Sequence, residues 1–227
     1  MEILQDEKRG LVWRAPVLEY NQDGDIEPKL EDKKEYQDVV DELNSWQSKN
    51  ILEYLTHGKE NLGDYINQLV NSRRTPYMAY EDGNLVGTVL IENNSFLEQY
   101  VTLRGVVTFC EEHNIDADTK NFLSIDTARQ ILTNYTKSNN TSISLFAVKG
   151  SCQGKGVGTR CIQSINDNMD FFSKTKNINT INAFIHEDNV ASIKVFEKNG
   201  FKRPYRWYNN AYYRGFDTYY KLVGKEK

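Results

Sequence analysis

Cysteine is scarce in this 227-residue chain, which has Cys110, Cys152 and Cys161 and no others. An odd, widely spaced set without a CxxC pair signals neither a disulfide framework nor a zinc site, so no metal is expected and the thiols read as bystanders. Long apolar runs are missing as well. Nothing approaches the roughly 20 consecutive apolar residues of a membrane span. The opening MEILQDEKRG lacks the basic-then-apolar order of a secretory signal. The expectation is a cytoplasmic protein with no membrane partner. Positive charge is not in excess: 28 Lys and Arg stand against 32 Asp and Glu, a net charge of −4, with no basic cluster. That balance argues against nucleic acid, whose binding depends on dense Lys and Arg. What is present, 39% hydrophobic and 26% charged residues, suits an ordinary globular protein of one domain, or one domain carrying an insertion.

The most informative stretch is SCQGKGVGTRC, Ser151 to Cys161. Before it, Thr141 to Val148 alternates, with Ile143, Leu145 and Ala147 on one face, and predicts a strand. After it, Val157, Cys161, Ile165, Met169 and Phe172 recur at helical spacing, predicting a helix from inside the glycine run to about Ser173. Strand, glycine loop and helix N-terminus together form an anion-binding arrangement. The first helical N–H groups lack partners, and the helix dipole favours negative charge there. A nucleotide-triphosphate loop needs GxxxxGK followed by a hydroxyl residue, and Gly150 and Gly154 are too close for it. A dinucleotide fingerprint needs GxGxxG, whereas Gly154, Gly156 and Gly158 give GxGxG. Gln153 to Gly158 instead reads Q-x-x-G-x-G.

A second strand is predicted from Ile178 to His186, followed by the string EDNVASIKVFEKNGFK. Its helix has Asp188 or Asn189 as N-cap, Lys198 in the last turn and Gly200 as the stop. The string resembles D-N-x-x-S-I-x-x-[YF]-E-K-x-G-F. The two signatures, in this order and at this separation, are similar to those of the GNAT acetyltransferase superfamily, in which Q-x-x-G-x-G is the coenzyme pyrophosphate loop.

That resemblance implies an α/β (α+β) fold with a mixed, mostly antiparallel central sheet flanked by helices. Much of it can be traced by pattern. Gly10 to Leu18 serves as the first strand, although Pro16 weakens it. Tyr36, Val39, Val40, Leu43 and Trp46 make a helical stripe, and Leu52 to Leu55, then Leu62, Tyr65, Ile66, Leu69 and Val70, continue the helical region. Pro76 to Tyr80 and Leu85 to Ile91 flank Glu81-Asp82-Gly83-Asn84 as a hairpin. Phe201 to Tyr208 and Tyr212 to Leu222 supply the last two strands. One single domain, 1–227, is expected, with the acyl-CoA-binding core at about 141–202. The departure from the family is the link between the third and fourth strands. It is a short turn in relatives, but about 45 residues intervene here, roughly 93–140. Ile125, Ala128, Ile131, Leu132 and Tyr135 give this segment a helical pattern, so it reads as an inserted helical segment: an edge cover, a substrate lid or a dimer contact.

The resemblance implies an N-acetyltransferase that moves an acetyl group from acetyl-CoA, its co-substrate, directly to an amine of a small molecule or protein. Gln153, Gly154, Lys155, Gly156, Val157, Gly158 and Thr159 would hold the pyrophosphate. Phe146, Ala147 and Val148 would pair with the pantetheine arm, and Asn189 and Ser192 would also contact it. Two positions depart from the pattern. Phe196 stands where many relatives have an acidic tyrosine, and Ser142 where some have a carboxylate base. Substitutes are Glu92, His186 and Tyr208, with Tyr205, Tyr212 and Tyr213 beside the last, and catalysis stays unassigned among them. These two positions also keep open a catalytically silent acyl-CoA sensor as the alternative. Cys152 lies beside a helix N-terminus, where a thiol can become more acidic, but a bystander is the simpler reading. The aromatic C-terminal hairpin suits either a homodimer contact or internal packing.

Overall fold

The computed structural model describes residues 1–22, 25–46, 61–70, 74–93, 140–173, 178, 180–202 and 216–222. The chain forms two compact units, one from residues 1–93 with 143–174, the other from 94–142 with 175–227. The inserted segment, Leu52 to Leu55, Cys110 and the tyrosines from Tyr205 to Tyr213 lie outside the described residues.

The first unit opens with a hairpin of β1 (Glu2–Asp6) and β2 (Leu11–Ala15). The sequence reading placed one strand over Gly10 to Leu18, and the structure corrects it. Pro16, with no N–H to give a ladder, ends β2 at Ala15, and Leu18 starts a separate strand. β3 (Leu18–Tyr20) pairs with β4 (Ile26–Pro28). The buried Asp32 carboxylate ties this turn down, accepting the Val17 N–H at 2.8 Å and pairing with the Met1 ammonium. Burial works to raise its pKa. The two donors outweigh that, so the carboxyl titrates below its usual range.

α1 (Leu30–Asn44) buries Tyr36, Val39, Val40 and Leu43, the stripe expected from sequence. Trp46 is buried with them but lies beyond the helix, brought in by a tight final turn in which its N–H donates to the Leu43 carbonyl. α2 (Leu62–Leu69) docks on α1 through Gly63, where a Cβ would stand 2.2 Å from the Val40 carbonyl oxygen. Only glycine permits that approach.

β5 (Arg74–Glu81) and β6 (Asn84–Asn93) form the expected hairpin, longer at both ends than its apolar pattern. Asp82 (φ 50°) and Gly83 (φ 76°) make its two-residue turn, with the backbone twist that suits such a hairpin. β7 (Asn140–Val148) matches the predicted strand and gives its first three residues to the second unit. Strand order in the first unit is β1-β2-β5-β6-β7. The Lys149 N–H reaches the Val86 carbonyl and the Ser144 hydroxyl the Leu90 carbonyl, so β7 runs antiparallel to β6.

The helix expected to run to Ser173 is broken. α3 (Val157–Asp167) stops at Asn168, and α4 (Met169–Phe172) follows as a single turn. Asn168 explains the break: its Nδ2 donates to the Ser164 carbonyl at 2.9 Å, a side-chain bond that competes with helical geometry. Met78 packs in the α1–α2 cluster, while its neighbour Tyr77 packs on Phe171 and Phe172. Successive strand residues face opposite ways, so this sheet carries helices on both faces.

In the second unit β8 (Thr180–His186) pairs antiparallel with β9 (Phe216–Leu222), and α5 (Val190–Lys198) follows β8. Asn189 caps α5 as expected, its Oδ1 accepting the Ser192 N–H at 3.2 Å. Gly200 (φ 82°) ends the helix in a Schellman motif: its N–H donates to the Glu197 carbonyl and that of Phe201 to the Phe196 carbonyl. The strand predicted from Phe201 therefore starts no earlier than Lys202, which makes a single bridge. Phe201 belongs to the helix stop, and residues 203–208 lie outside the described residues.

Candidate functional site

The loop after β7 begins with a single 3₁₀ turn, Gly150–Cys152, closed by the Cys152 N–H on the Lys149 carbonyl at 2.8 Å. Gly154 (φ 75°) and Gly156 (φ 80°) then turn the chain through left-handed conformations into α3. Gly156 is the helix N-cap and has no side chain to satisfy the first-turn donors. A Cβ built on Gly154 or Gly156 would meet nothing within 4 Å, so this backbone faces open space. Ser151, Gln153 and Lys155 are exposed, whereas Val157 is buried and roots the helix in the core. An exposed run of backbone donors at a helix start, with a lysine beside it, fits an anionic group.

The Gln153 side chain turns back rather than outward, and its Nε2 donates to the Val148 carbonyl at 3.0 Å. Phe146 and Val148 are half-buried and Ala147 is buried. Below the loop, α3 is held by the Trp13 indole N–H donating to Ser164 Oγ at 2.9 Å, and by Arg9, which pairs with Asp6 at 2.8 Å and with Asp167. The loop's two ends are tied by ion pairs. Lys149 Nζ meets Glu42 Oε1 at 2.9 Å, and Arg160 Nη1 meets Glu81 Oε1 at 2.6 Å while also donating to the Arg9 carbonyl at 2.8 Å. Sequence reasoning missed these four side chains. Lys149 and Arg160 visibly bracket the glycines, but their partners lie far away in the chain.

Two of the candidate catalytic groups have hydrogen-bond partners of their own. Glu92 Oε2 accepts from Arg74 Nε at 2.9 Å across the β5–β6 ladder. His186 Nδ1 accepts the Asp188 N–H at 3.2 Å. Tyr208 lies outside the described residues. Glu92 belongs to the first unit, and His186, Asn189 and Ser192 to the second. Ser142 is buried, its hydroxyl accepting from Asn182 Nδ2 at 2.8 Å. Phe196 is buried against Phe201, ring centroids 5.0 Å apart, which is the apolar contact that accompanies a Schellman stop.

Cys161 is fully buried, and burial pushes its thiol up to about 12. Alkylation of the native protein at pH 8, read by peptide mapping, is expected to modify the half-exposed Cys152 and spare Cys161. The folded state holds the Cys161 proton more tightly than the unfolded chain. This contribution to stability is therefore complete below about 9 and falls as pH rises toward about 12. Among the described residues no group of three His, Cys, Asp or Glu side chains is placed to hold a metal, and no helix is long and apolar enough to cross a membrane.

Among solved structures, AAC(6')-Ib in complex with paromomycin and acetyl-CoA is similar over 82% of this chain and 89% of its own, at 16% identity and a TM-score of 0.52. Spermidine N-acetyltransferase from Vibrio cholerae, in complex with CoA and spermine, is similar over 95% and 97%, at 14% identity and a TM-score of 0.50. The GNAT domain of S. lividans PAT is similar over 93% and 97%, at 14% identity and a TM-score of 0.50. At such identities the likeness is one of fold. No curated protein matches in sequence. The profile of the acetyltransferase (GNAT) family matches residues 40–201, from α1 to the residue that closes the Schellman motif. As that stretch takes in both signatures and most of the chain, the protein belongs to the GNAT family of acetyltransferases.

Proposed function

We propose that this protein is an N-acetyltransferase whose loop from Gln153 to Thr159 anchors the pyrophosphate of acetyl-CoA, the acceptor being an amine of a small molecule or protein. The carrying observation is the open backbone at Gly154 and Gly156, directly ahead of an uncapped helix. The bound thioester supplies the acetyl group, and an amine nitrogen displaces the thiol at its carbonyl. The chain's part is to orient and polarise. The backbone of Phe146, Ala147 and Val148 pairs with the pantetheine amides, and an N–H of that strand stabilises the developing oxyanion. Asn189 and Ser192, which belong to the second signature, are kept as proposed coenzyme contacts, Asn189 through the amide nitrogen its capping bond leaves over. The family match and the coenzyme-bound solved relatives support this reading. In this proposal the whole chain is one acetyltransferase domain, with residues 141–202 as its acyl-CoA core.

For the proton steps, Glu92 is the carboxylate we favour, acting through water. The β6–β7 register puts it beside Ile143, about 10 Å along β7 from Phe146. A catalytically silent acyl-CoA sensor is the second reading, favoured by the buried Phe196 and the hydrogen-bonded Ser142.

Calorimetric titration with acetyl-CoA, beside ATP and NAD, tests the coenzyme assignment. Binding of acetyl-CoA alone is expected, and its absence overturns the proposal. Thiol release when amines are offered separates the enzyme from the sensor.

A further inference from the structure

The coenzyme loop is held in its first half by the 3₁₀ turn and the bond from Gln153 Nε2 to the Val148 carbonyl. Two of its residues take left-handed φ, and no side chain caps the helix it feeds. Its ends are fixed from outside, by Glu42 of α1 through Lys149 and by Glu81 of the β5–β6 hairpin through Arg160. Arg160 is the fourth residue of α3 and also donates to the Arg9 carbonyl, so its guanidinium has a set direction. These four side chains are between 30% and 39% exposed, so each pair is partly shielded from water.

We propose that Glu42 and Glu81 are positioning residues for acetyl-CoA: through Lys149 and Arg160 they set the direction in which the loop's N–H groups point. The inference rests on the reading that this loop holds the pyrophosphate. Its force lies in the sign of the effect. By charge alone, two carboxylates near a phosphate site weaken anion binding, and neutralising them tightens it. If instead they aim the loop through its flanking cations, neutralising them loosens binding despite the gain in local positive charge.

The test is calorimetric titration of acetyl-CoA into wild type, Glu42→Gln, Glu81→Gln, the double variant and Glu81→Asp, with the ligand-free thermal midpoint recorded for each. Each Gln variant is expected to raise Kd about fivefold, the energy scale of a partly exposed ion pair. The double variant should multiply these to about 25-fold, because the pairs lie on separate elements. Glu81→Asp keeps the charge and should stay within about twofold of wild type. Unchanged or tighter binding in the double variant overturns the proposal and leaves the coenzyme assignment standing. A lowered midpoint with wild-type Kd overturns it too, since the pairs would then be structural only. Failure of the wild type to bind acetyl-CoA removes the functional reading itself.

Discussion

Replacing Gly156 by glutamate is expected to weaken acetyl-CoA binding by at least about 100-fold while leaving the far-ultraviolet dichroism unchanged. Two costs add. Gly156 sits at φ 80°, and an L-residue that relaxes away from it in the free loop must be driven back when the anion binds, at about 1–2 kcal/mol. The new carboxylate then stands where the loop would receive a pyrophosphate. At about 4 Å and an effective dielectric near 20, that repulsion is worth about 4 kcal/mol per charge pair. Together they exceed the roughly 2.7 kcal/mol of a 100-fold change. Gly156→Ala separates the two contributions, because it has the strain without the charge and is expected to lose about tenfold. The open space around a Cβ at this position means neither variant meets a steric block in the ligand-free fold. Calorimetry that finds the Glu variant equal to wild type would mean the anion lies elsewhere.

The largest expected loss of stability is at Trp13, 0% exposed on β2 and in edge contact with Phe172, ring centroids 4.9 Å apart. Trp13→Ala removes the largest fully buried side chain of the described residues and leaves a cavity between sheet and helix, at a cost of about 3–5 kcal/mol. It also takes the indole N–H from Ser164 Oγ, a buried acceptor, for about 1 kcal/mol more. In a chain of this size the thermal midpoint should fall by roughly 10–15 °C. Trp13→Phe fills most of the space but cannot donate, so comparison with Ser164→Ala isolates the hydrogen bond. A loss below about 1 kcal/mol for Trp13→Ala in denaturant titration would show that β2 is not part of the cooperative core.

Where the sequence was legible, one physical period dominated. β7 alternates cleanly and α1 carries a complete apolar stripe, so both were placed within a residue or two of their observed ends on the β7 side and at the buried positions of α1. The caps of α5 were readable because Asn and Gly each have a specific backbone preference there. β1 was not readable: its five residues, EILQD, are mostly exposed and lack an apolar face. The break at Asn168 was hidden because the apolar spacing continues through it into Met169 and Phe172. For the site, the glycine loop was evident from spacing alone. Its mountings, Glu42 and Glu81, were not, since an ion pair across 107 or 79 residues leaves no local trace. The surroundings of Glu92 and His186 were hidden for a related reason: sequence reports which residues are titratable, but not that Arg74 or the Asp188 N–H lies against them.

The bare N-cap at Gly156 has one more consequence. Aspartate and serine are the usual helix caps, but at φ 80° either carries about 1–2 kcal/mol of strain, more than the few tenths by which such a cap exceeds glycine. On the proposed function, such a graft would also compete with the natural anion for the same N–H groups. Robustness and activity therefore ask for the same residue at this position, and a stabilising substitution has to be sought elsewhere in the chain.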